Sequence, residues 1–222
     1  MCGRLTQFRS WEEMRAYYSL VGPPQNLAAR YNVAPTDPAG TIRLTDQGLE
    51  HAAMRWWLVP FWWRKPLKSV PAAFNAKAEG IADRPLFREA FRRRRCIVWA
   101  DGFYEWRRDG KARTPFYITR ADGAPLSLAG LHERWQNPED GETIRSCTIV
   151  TCPANAALSP LHDRMPVVLE PGAVDDWLSG RAGPELLVPA AEGILGASEV
   201  SPYVNNVRND GPQCIVPVAS SP

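Results

Sequence analysis

The spacing of apolar and polar positions changes several times along this chain of 222 residues, and each spacing indicates a different element. Ser10 precedes Glu13 by three positions in front of the segment WEEMRAYYSL. This is the arrangement of a capping box, and it predicts a helix over residues 11–20. Alternation of apolar and polar positions over 41–60 predicts a β-hairpin that turns at Asp-Gln-Gly, residues 46–48.

Proline and glycine separate the remaining predicted elements. The segments 21–40 and 61–79 are rich in proline and are expected to be largely irregular. A second helix is predicted to open at Asp83 with Pro85 and to run through LFREAFRRR. From residue 95 to 135, alternating positions and Asp-Gly pairs predict successive antiparallel strands. Further predictions are strands over 146–152 and 165–170, short helices over 172–180 and 184–193, and two short strands around a polar loop over 200–218.

Helices and strands are mixed without the regular strand–helix–strand order of a parallel sheet. No internal repeat and no low-complexity linker divides the chain. The pattern therefore predicts a single α+β domain over 1–222, built around an antiparallel, partly barrel-like sheet with short helices on its flanks.

Composition narrows the classes of protein to which the chain could belong. Hydrophobic residues make up 45% and charged residues 23%, and no apolar run is long enough to span a membrane, so we expect a globular protein without a membrane partner. Five scattered cysteines and no secretory signal indicate a reduced, cytoplasmic protein. Cys96, Cys147 and Cys214 lie in apolar stretches and are expected to be buried. The net charge of +2 means that any nucleic-acid site must be a local patch.

Cys2 is the most unusual candidate for chemistry. A small second residue generally permits removal of the initiator methionine, which would leave an α-amine beside the thiol. The amine has a reference pKa of about 7.7–8.0, so a fraction of it is neutral near pH 7. Such a 1,2-aminothiol forms an imine with an aldehyde and then closes to a thiazolidine, a step that gains from being intramolecular. The alternative is an ordinary thiol at a disordered terminus.

Two further residues could transfer protons. Glu105 lies between Tyr104 and Trp106, just after an Asp-Gly pair, and apolar rings raise the proton affinity of a carboxyl group. His162 lies in a predicted loop between two strand-like segments, where catalytic groups often collect. In isolation, Glu105 could instead face outward opposite an arginine, and His162 could serve only as a hydrogen-bonding residue. The other two histidines are expected to have no catalytic role.

Aromatic and basic residues interleave in the segment RWWLVPFWWRKPLK, residues 55–68. Bases can stack on such rings while the cations contact phosphates, which favours binding of single-stranded nucleic acid over the alternative, a tryptophan-rich edge of the core. The segment AFNAKAE adds Asn75, which could orient a reacting group, and Lys77, which could contact a phosphate. A surface loop is the alternative for these two residues. No zinc-binding arrangement of cysteine and histidine occurs, and we expect neither a metal nor a cofactor.

Seven motifs, in order from the first residue almost to the last, resemble the SRAP (SOS response-associated peptidase) family, whose members shield abasic sites in DNA. They are MCGR (1–4), RYNVAP (30–35), WWLVPFWW (56–63), FNAKAE (74–79), CIVWADGFYEW (96–106), LHDRMP (161–166) and NNVRNDG (205–211). The resemblance implies a twisted antiparallel sheet with a cleft for single-stranded DNA. It also implies that the mature N-terminal cysteine joins the ring-opened aldehyde of an abasic site in a thiazolidine DNA–protein crosslink, with abasic lyase and thiol autopeptidase reactions as further activities.

The resemblance also assigns roles to residues. The catalytic cysteine, asparagine, glutamate and histidine of the family correspond to Cys2, Asn75, Glu105 and His162, and its DNA contacts to Arg4, Trp63, Lys77, Trp106 and Arg164. Lys77 stands where relatives often have arginine, so it keeps the charge but loses the planar fork. The implied partner is single-stranded DNA containing abasic sites, and the implied state is a monomer in the cytoplasm, associated with the nucleoid at damaged replication forks.

Three other functions remain open. Glutamine amidotransferases, which are N-terminal-nucleophile hydrolases, also begin Met-Cys-Gly, but an apolar residue follows there and Arg4 follows here. A thiol peptidase could use Cys2 and Glu105 to cleave a leader, although only Met1 precedes Cys2 in this sequence. A non-covalent binder of single strands would bind DNA in a salt-sensitive manner without any need for Cys2.

Overall fold

The structure is a computed structural model that describes residues 2–110 and 112–218. The helices of this part of the chain are α1 (Trp11–Tyr18), α2 (Arg88–Arg93) and α3 (Val174–Ser179). The strands are β1 (Leu5–Gln7), β2 (Arg30–Val33), β3 (Pro38–Thr45), β4 (Gly48–Trp56), β5 (Asn75–Lys77), β6 (Arg95–Ala100), β7 (Gly102–Asp109), β8 (Ala112–Arg120), β9 (Leu126–Gln136), β10 (Thr143–Pro153), β11 (Arg164–Pro166), β12 (Val168–Leu169) and β13 (Leu195–Glu199).

The strands form two sheets. The first has the order β13-β8-β7-β1-β2. In the second, β10 pairs with both β9 and β4, so that β10, β4, β3, β6 and β9 close into a ring. This arrangement confirms the predicted α+β class with a partly barrel-like sheet. The second sheet is mixed, because β10 runs parallel to β4 and β5, and long connections supply the crossovers that parallel pairs require.

Helix α1 forms as predicted from its cap. The Ser10 hydroxyl accepts a hydrogen bond from the Glu13 N–H at 3.2 Å, and the Glu13 carboxylate accepts one from the Ser10 N–H at 2.8 Å. Trp11, Met14 and Tyr18 bury one face of the helix against the core. Helix spacing and cap together therefore fix this element locally.

The predicted β3–β4 hairpin is confirmed, with Thr45 opposite Gly48 across the turn. The prediction of a largely irregular segment over 21–40 is wrong at its C-terminal half, where β2 and the start of β3 lie. β2 is held by distant partners, for Leu5 of β1 lies opposite Val33. Pairing between remote segments supplies backbone hydrogen bonds that local sequence does not reveal.

Several predicted boundaries are wrong near prolines. Helix α2 begins at Arg88 rather than at Asp83, and residues 81–87 form turns. The helix predicted over 184–193 is a single 3₁₀ turn, Pro184–Leu186. The tail over 200–218 contains two 3₁₀ turns in place of two strands, because prolines there cannot donate to a ladder. Within the described residues, no helix is long and apolar enough to cross a membrane.

The junction between β6 and β7 positions the functional region. β6 belongs to the ring and β7 to the first sheet, so the chain changes sheets at Asp101 and Gly102 rather than turning back as a hairpin. A Cβ added at Gly102 would lie 2.5 Å from the Tyr117 ring and 2.7 Å from the Ile118 carbonyl, so only glycine fits this crossing. β7 then runs beside β1 and brings the middle of the chain next to the N-terminus.

The core fills the ring and the space between the sheets. The cysteines predicted to be buried, Cys96, Cys147 and Cys214, are inaccessible, which confirms that prediction. Trp56 is also fully buried and donates its indole N–H to the Phe74 carbonyl at 2.8 Å. The tryptophan-rich segment therefore contributes at least one ring to the core rather than to a binding surface.

Candidate functional site

Cys2 is held in the interior immediately before β1. Its side chain is inaccessible to solvent, and the Asn75 side-chain amide donates to the Cys2 carbonyl at 2.7 Å. The Asn75 Oδ1 atom is buried and accepts no hydrogen bond within 2–110 and 112–218. The backbone N–H of Tyr104 donates to the Arg4 carbonyl at 3.0 Å, which ties the N-terminal segment to β7. Contacts with β5 and β7, both remote in sequence, thus fix the position of Cys2, whereas terminal residues are usually poorly ordered.

Glu105 lies on β7 opposite Phe116 and is only 6% exposed. Burial raises the pKa of its carboxyl group, as expected for a carboxyl among aromatic rings. Burial also raises the pKa of the Cys2 thiol, and the negative charge of Glu105 raises it further. Glu105 is therefore close enough to influence the protonation of Cys2, and both causes favour the thiol over the thiolate.

His162 lies in the turn between β10 and β11, with its side chain about one-third exposed. Burial lowers the pKa of its imidazole. The ring Nδ1 accepts the backbone N–H of Arg164 at 2.9 Å and also lies 2.6 Å from Oδ1 of Asp163. These contacts need opposite protonation states of Nδ1. The lowered pKa favours the neutral ring that accepts from Arg164, which leaves the proton on Nε2.

Glu105 and His162 share a cleft of about 390 Å³. Gly3, the residue that follows Cys2, also lines it, so the Cys2 backbone lies directly behind the cleft wall. The remaining lining residues are Pro35, Phe74, Trp106, Arg108 and Arg113. Phe74 also lines a second cavity, of about 330 Å³, whose lining includes Asn75. Glu105 and His162 thus line the cleft itself, whereas Cys2 and Asn75 are each next in sequence to a residue that lines it.

Arg4 and Trp106 form one side of an adjoining cavity of about 270 Å³. The Arg4 guanidinium lies 5.7 Å from the centre of the Trp106 ring and donates to Asn32 Oδ1 at 2.8 Å. Burial lowers the pKa of Arg4. The Trp106 indole N–H donates to Asn205 Oδ1 at 2.6 Å.

Most residues of the motif NNVRNDG (205–211) hold Arg4 and Trp106 in place and do not themselves line the cleft. The Asn32 side-chain amide donates to the carbonyls of Asn206 at 3.1 Å and Asn209 at 2.8 Å. The Asp210 carboxylate accepts from the Tyr31 N–H at 2.5 Å. These bonds tie the tail to β2 and so hold Asn205 under Trp106.

The predicted DNA contacts Lys77 and Arg164 lie outside the cleft. Arg164 donates through two nitrogens to the Glu79 carboxylate, at 2.5 and 2.8 Å. This bond lowers the pKa of Glu79 to about 2. Lys77 lines a separate cavity of about 330 Å³ together with Arg84 and Phe74. Arg164 would therefore have to share its guanidinium between Glu79 and any phosphate.

Trp63 is half-buried and belongs to a cluster with Val59, Val70 and Trp135. Its carbonyl accepts from the Trp135 indole N–H at 2.7 Å. Its neighbour Trp62 is 40% exposed, with ring centres 6.0 Å apart. Trp63 is thus fixed at the edge of the molecule and does not line the cleft.

Sequence reasoning did not select Arg108 or Arg113 as site residues. Both line the cleft, and strand pairing places them directly opposite each other on β7 and β8. Counting the hairpin register outward from the Asp-Gly pair at 109–110 is the one signal in the sequence that could have found them. Phe74 was also missed, because a lone aromatic residue before Asn75 has no distinguishing spacing.

The SRAP family model, described as SOS response associated peptidase, matches residues 1–207. The chain belongs to the SRAP family. Three relatives are each called an abasic site processing protein. YoqW of Bacillus subtilis (strain 168) is 34% identical over 97% of this chain and 99% of its own length. YedK of Escherichia coli (strain K12) is 33% identical over 98% of this chain and 100% of its own. HMCES of Xenopus tropicalis is 33% identical over 75% of this chain and 57% of its own.

Solved structures agree with the SRAP assignment at the level of the fold. A crystal structure of a protein from Bacteroides thetaiotaomicron matches with a TM-score of 0.87 and 25% identity, covering 98% of this chain and 100% of that one. A protein from Bordetella bronchiseptica matches with a TM-score of 0.78 and 30% identity, covering 90% of this chain and 100% of that one.

Proposed function

We propose that this SRAP-family protein processes abasic sites in single-stranded DNA by covalent capture on Cys2. Its relatives of similar length are abasic site processing proteins, which supports abasic DNA as the substrate. The observation that carries the covalent step is the position of Cys2, which is buried between Asn75 and the charge of Glu105, directly behind the cleft that His162 lines. The proposal requires removal of Met1, so that Cys2 provides both the amine and the thiol.

The reaction balances with the groups that this site contains. The neutral α-amine of Cys2 adds to the C1′ aldehyde of the ring-opened sugar, and loss of one water gives an imine. The thiol then adds across the C=N bond, its proton passing to nitrogen, which closes the five-membered thiazolidine. Glu105, with its raised pKa, can accept and return the protons that move in both steps. Holding both nucleophiles on one residue replaces a second bimolecular encounter.

His162 and Asn75 have complementary roles in this scheme. In its neutral form His162 carries its proton on Nε2 and can donate it to the sugar oxygen as the ring opens. Asn75 fixes the Cys2 carbonyl, and its buried Oδ1 is an acceptor that the freed α-amine would satisfy. Trp106, Arg4, Lys77, Arg164 and Trp63 are proposed to bind the flanking strand.

The protonation state of Cys2 favours a route that begins with the amine. Burial and the charge of Glu105 raise the pKa of the thiol. Imine formation uses the neutral amine first and needs no thiolate. An amidotransferase or peptidase would instead need a base that takes the thiol proton, a role that the α-amine itself could fill, so glutamine hydrolysis is the assay that separates these functions. Autopeptidase activity is proposed as a reaction that would expose the α-amine of Cys2.

Abasic lyase activity is proposed as a side reaction of the same imine. An imine at C1′ acidifies the C2′ proton, and its removal by a nearby base breaks the 3′ C–O bond by β-elimination. Closure of the thiazolidine removes the imine and so competes with cleavage. Substitution of the Cys2 thiol while the amine is kept, as in Cys2→Ser, should therefore increase strand cleavage relative to stable capture.

The test is the intact mass of the purified protein under denaturing conditions, before and after mixing with a single strand carrying one abasic site. We expect loss of Met1 and a gain equal to the DNA minus one water, stable without borohydride and absent in Cys2→Ser. Capture should slow as the pH falls below about 6, because the α-amine becomes protonated. Loss of Met1 without an adduct would contradict the proposal, and glutamine hydrolysis would then be assayed.

A monomeric state and a location at damaged replication forks are further proposals that follow from this role. Protein bound to one lesion on a single strand needs one cleft, and stalled forks expose single strands. Sedimentation of the protein with and without the abasic strand would test the first. A complex of two protein chains per strand would contradict it.

A further inference from the structure

Two arginines face each other at the rim of the cleft. Arg108 on β7 lies directly opposite Arg113 on β8. Both side chains are exposed, and no ion pair joins either guanidinium to a carboxylate among the side chains that the structure describes. Like charges directly opposite on antiparallel strands are destabilising by themselves. An anion between the two groups would turn this repulsion into attraction.

The pair is placed where a DNA strand would have to pass. Both arginines line the cleft of about 390 Å³ that contains Glu105 and His162. Arg113 also lines the adjoining cavity of about 270 Å³, and the two cavities have Gly3 and Trp106 in common. Arg113 therefore lies at the junction between the proposed position of the abasic sugar and the next space along the surface.

We propose that Arg108 and Arg113 clamp the backbone phosphate immediately next to the abasic sugar, and that the neighbouring nucleotide occupies the cavity beside Trp106. The inference rests on the proposed function and assigns two of its DNA contacts. Guanidinium groups present parallel donors that match a phosphate, and hydrogen bonds between two charged partners are stronger than neutral ones. The clamp fixes the reacting C1′ relative to Cys2, because one phosphate and one sugar are joined by a few bonds.

The chain contains a matched control for this clamp. Arg134 on β9 and Arg145 on β10 are also directly opposite each other and exposed, but they line neither cavity beside Cys2. Replacing both arginines of either pair removes the same charge from the same kind of hairpin. Any difference between the two double variants therefore reports position rather than total charge.

The experiment measures non-covalent binding in Cys2→Ser protein to a single strand that carries a tetrahydrofuran abasic analogue, which has no aldehyde. We expect Arg108→Gln/Arg113→Gln to weaken binding by roughly tenfold to a hundredfold, the loss expected for charge-assisted hydrogen bonds. The slope of log K against log salt should fall by about 0.7, the value for one phosphate on a single strand. Arg134→Gln/Arg145→Gln should change the affinity less than threefold.

Two refinements separate a clamp from a charged surface. Arg108→Lys/Arg113→Lys should retain the salt slope but recover only part of the affinity, because lysine lacks the fork. Replacing the phosphate on one side of the lesion by a neutral methylphosphonate should weaken binding to protein that has both arginines, by as much as the double substitution does. The same replacement should cause no further loss of affinity in Arg108→Gln/Arg113→Gln. Thermal melting should show an unchanged or higher midpoint for that variant, since repulsion is removed.

Equal losses in the two double variants, or methylphosphonate effects that add at every position, would overturn the clamp. The proposed function is tested separately, by the adduct that protein with Cys2 forms with a strand carrying the aldehyde. If no adduct forms but the affinity losses still depend on the position of the arginine pair, covalent capture is refuted and the clamp is retained. Full adduct formation with unchanged binding in Arg108→Gln/Arg113→Gln would refute the clamp alone.

Discussion

The cleft beside the N-terminus and the interior of the closed strand ring contain the same kinds of side chain in very different settings. Cys2 and Cys147 are both inaccessible thiols whose pKa is raised by burial. Cys147 contacts the Met54 carbonyl, with its sulfur 4.0 Å from the oxygen, and lies on β10 within the ring. Cys2 differs in that the negative charge of Glu105 acts on it and the next residue, Gly3, lines a cleft. Burial and a raised pKa are common to both thiols, so the proposed reactivity of Cys2 rests on Glu105 and on the cleft.

The buried carboxylates repeat this contrast. Burial raises the pKa of both Glu105 and Glu133. Glu133 on β9 accepts from the Arg94 guanidinium at 2.7 Å and thus belongs to an ion pair that holds β9 to the end of α2. Glu105 lines a cleft with His162. The two buried carboxyl groups therefore differ in access, because Glu105 lines a cleft, and only Glu105 has a role in the proposed reaction.

The largest effect should come from the two cysteines. Cys2→Ala is expected to abolish the denaturation-resistant adduct with abasic DNA, because the sulfur that closes the thiazolidine ring is lost. Cys147→Ala should retain the adduct and instead lower the stability by about 1–3 kcal/mol through a small cavity. Adduct yield by denaturing electrophoresis and urea melts measure the two outcomes. An adduct in Cys2→Ala that survived denaturation without borohydride would contradict the thiazolidine as the stable linkage.

The two glutamates should differ next. Glu105→Gln is expected to slow capture by about a hundredfold, the lower range for loss of a general acid or base, with little change in unfolding. Glu133→Gln should leave the single-turnover rate intact and lower the stability, because Arg94 loses its charged partner. Single-turnover rates at saturating DNA are compared with denaturant melts. Equal rates for Glu105→Gln and wild type would remove Glu105 from the mechanism.

Histidines in the strand ring and in the cleft should affect different properties as the pH is lowered. Burial lowers the pKa of His51 and His132 in the ring to about 4. As the pH falls below about 6.5, these residues become protonated in the unfolded chain while they stay neutral in the folded protein. The free energy of unfolding therefore decreases as the pH falls, by about 1 kcal/mol per residue between pH 7.5 and 5.5. His51→Gln should reduce this slope in urea melts. His162→Gln should change the capture rate, which His51→Gln should not, and it should also reduce the slope because burial lowers the pKa of His162 as well.

The smallest effect should come from the ion pair beside the cleft. Glu79→Gln removes the bidentate partner of Arg164. If Arg164 contacts a phosphate, its release should strengthen binding of the abasic-analogue strand about twofold to fivefold at low salt and steepen the salt slope by about 0.7. Fluorescence anisotropy in Cys2→Ser protein measures both. Weaker binding would mean instead that Glu79 orients Arg164 for its contact.

Sequence reasoning succeeded where the deciding contacts are local and failed where they are remote. The cap of α1 and the β3–β4 turn were predicted because each depends on residues a few positions apart. β2 was missed because its pairing partner is β1. Trp56 was assigned to a binding segment although it is buried, since interleaved rings and cations look the same whether the rings face outward or inward.

The site was predicted as a set of residues but not as an arrangement. Cys2, Glu105 and His162 stood out by residue type and local setting, and the family motifs joined them to Asn75. Their mutual positions were not predictable, because β7, β5 and the turn after β10 meet only when two sheets assemble. The opposed pair Arg108 and Arg113 depends on hairpin register, which shifts every side chain if it slips by one residue.

The sequence by itself determined the α+β class, the family, and the residue types capable of aldehyde chemistry, because periodicity, caps and motifs are written in short stretches of chain. Tertiary structure alone decided which buried thiol has a carboxyl group beside it, which buried carboxyl group lines a cleft, and which two arginines lie opposite each other at its rim. Those properties depend on burial and on distances between segments remote along the chain. Desolvation and Coulomb interactions that shift protonation arise only after such segments come together.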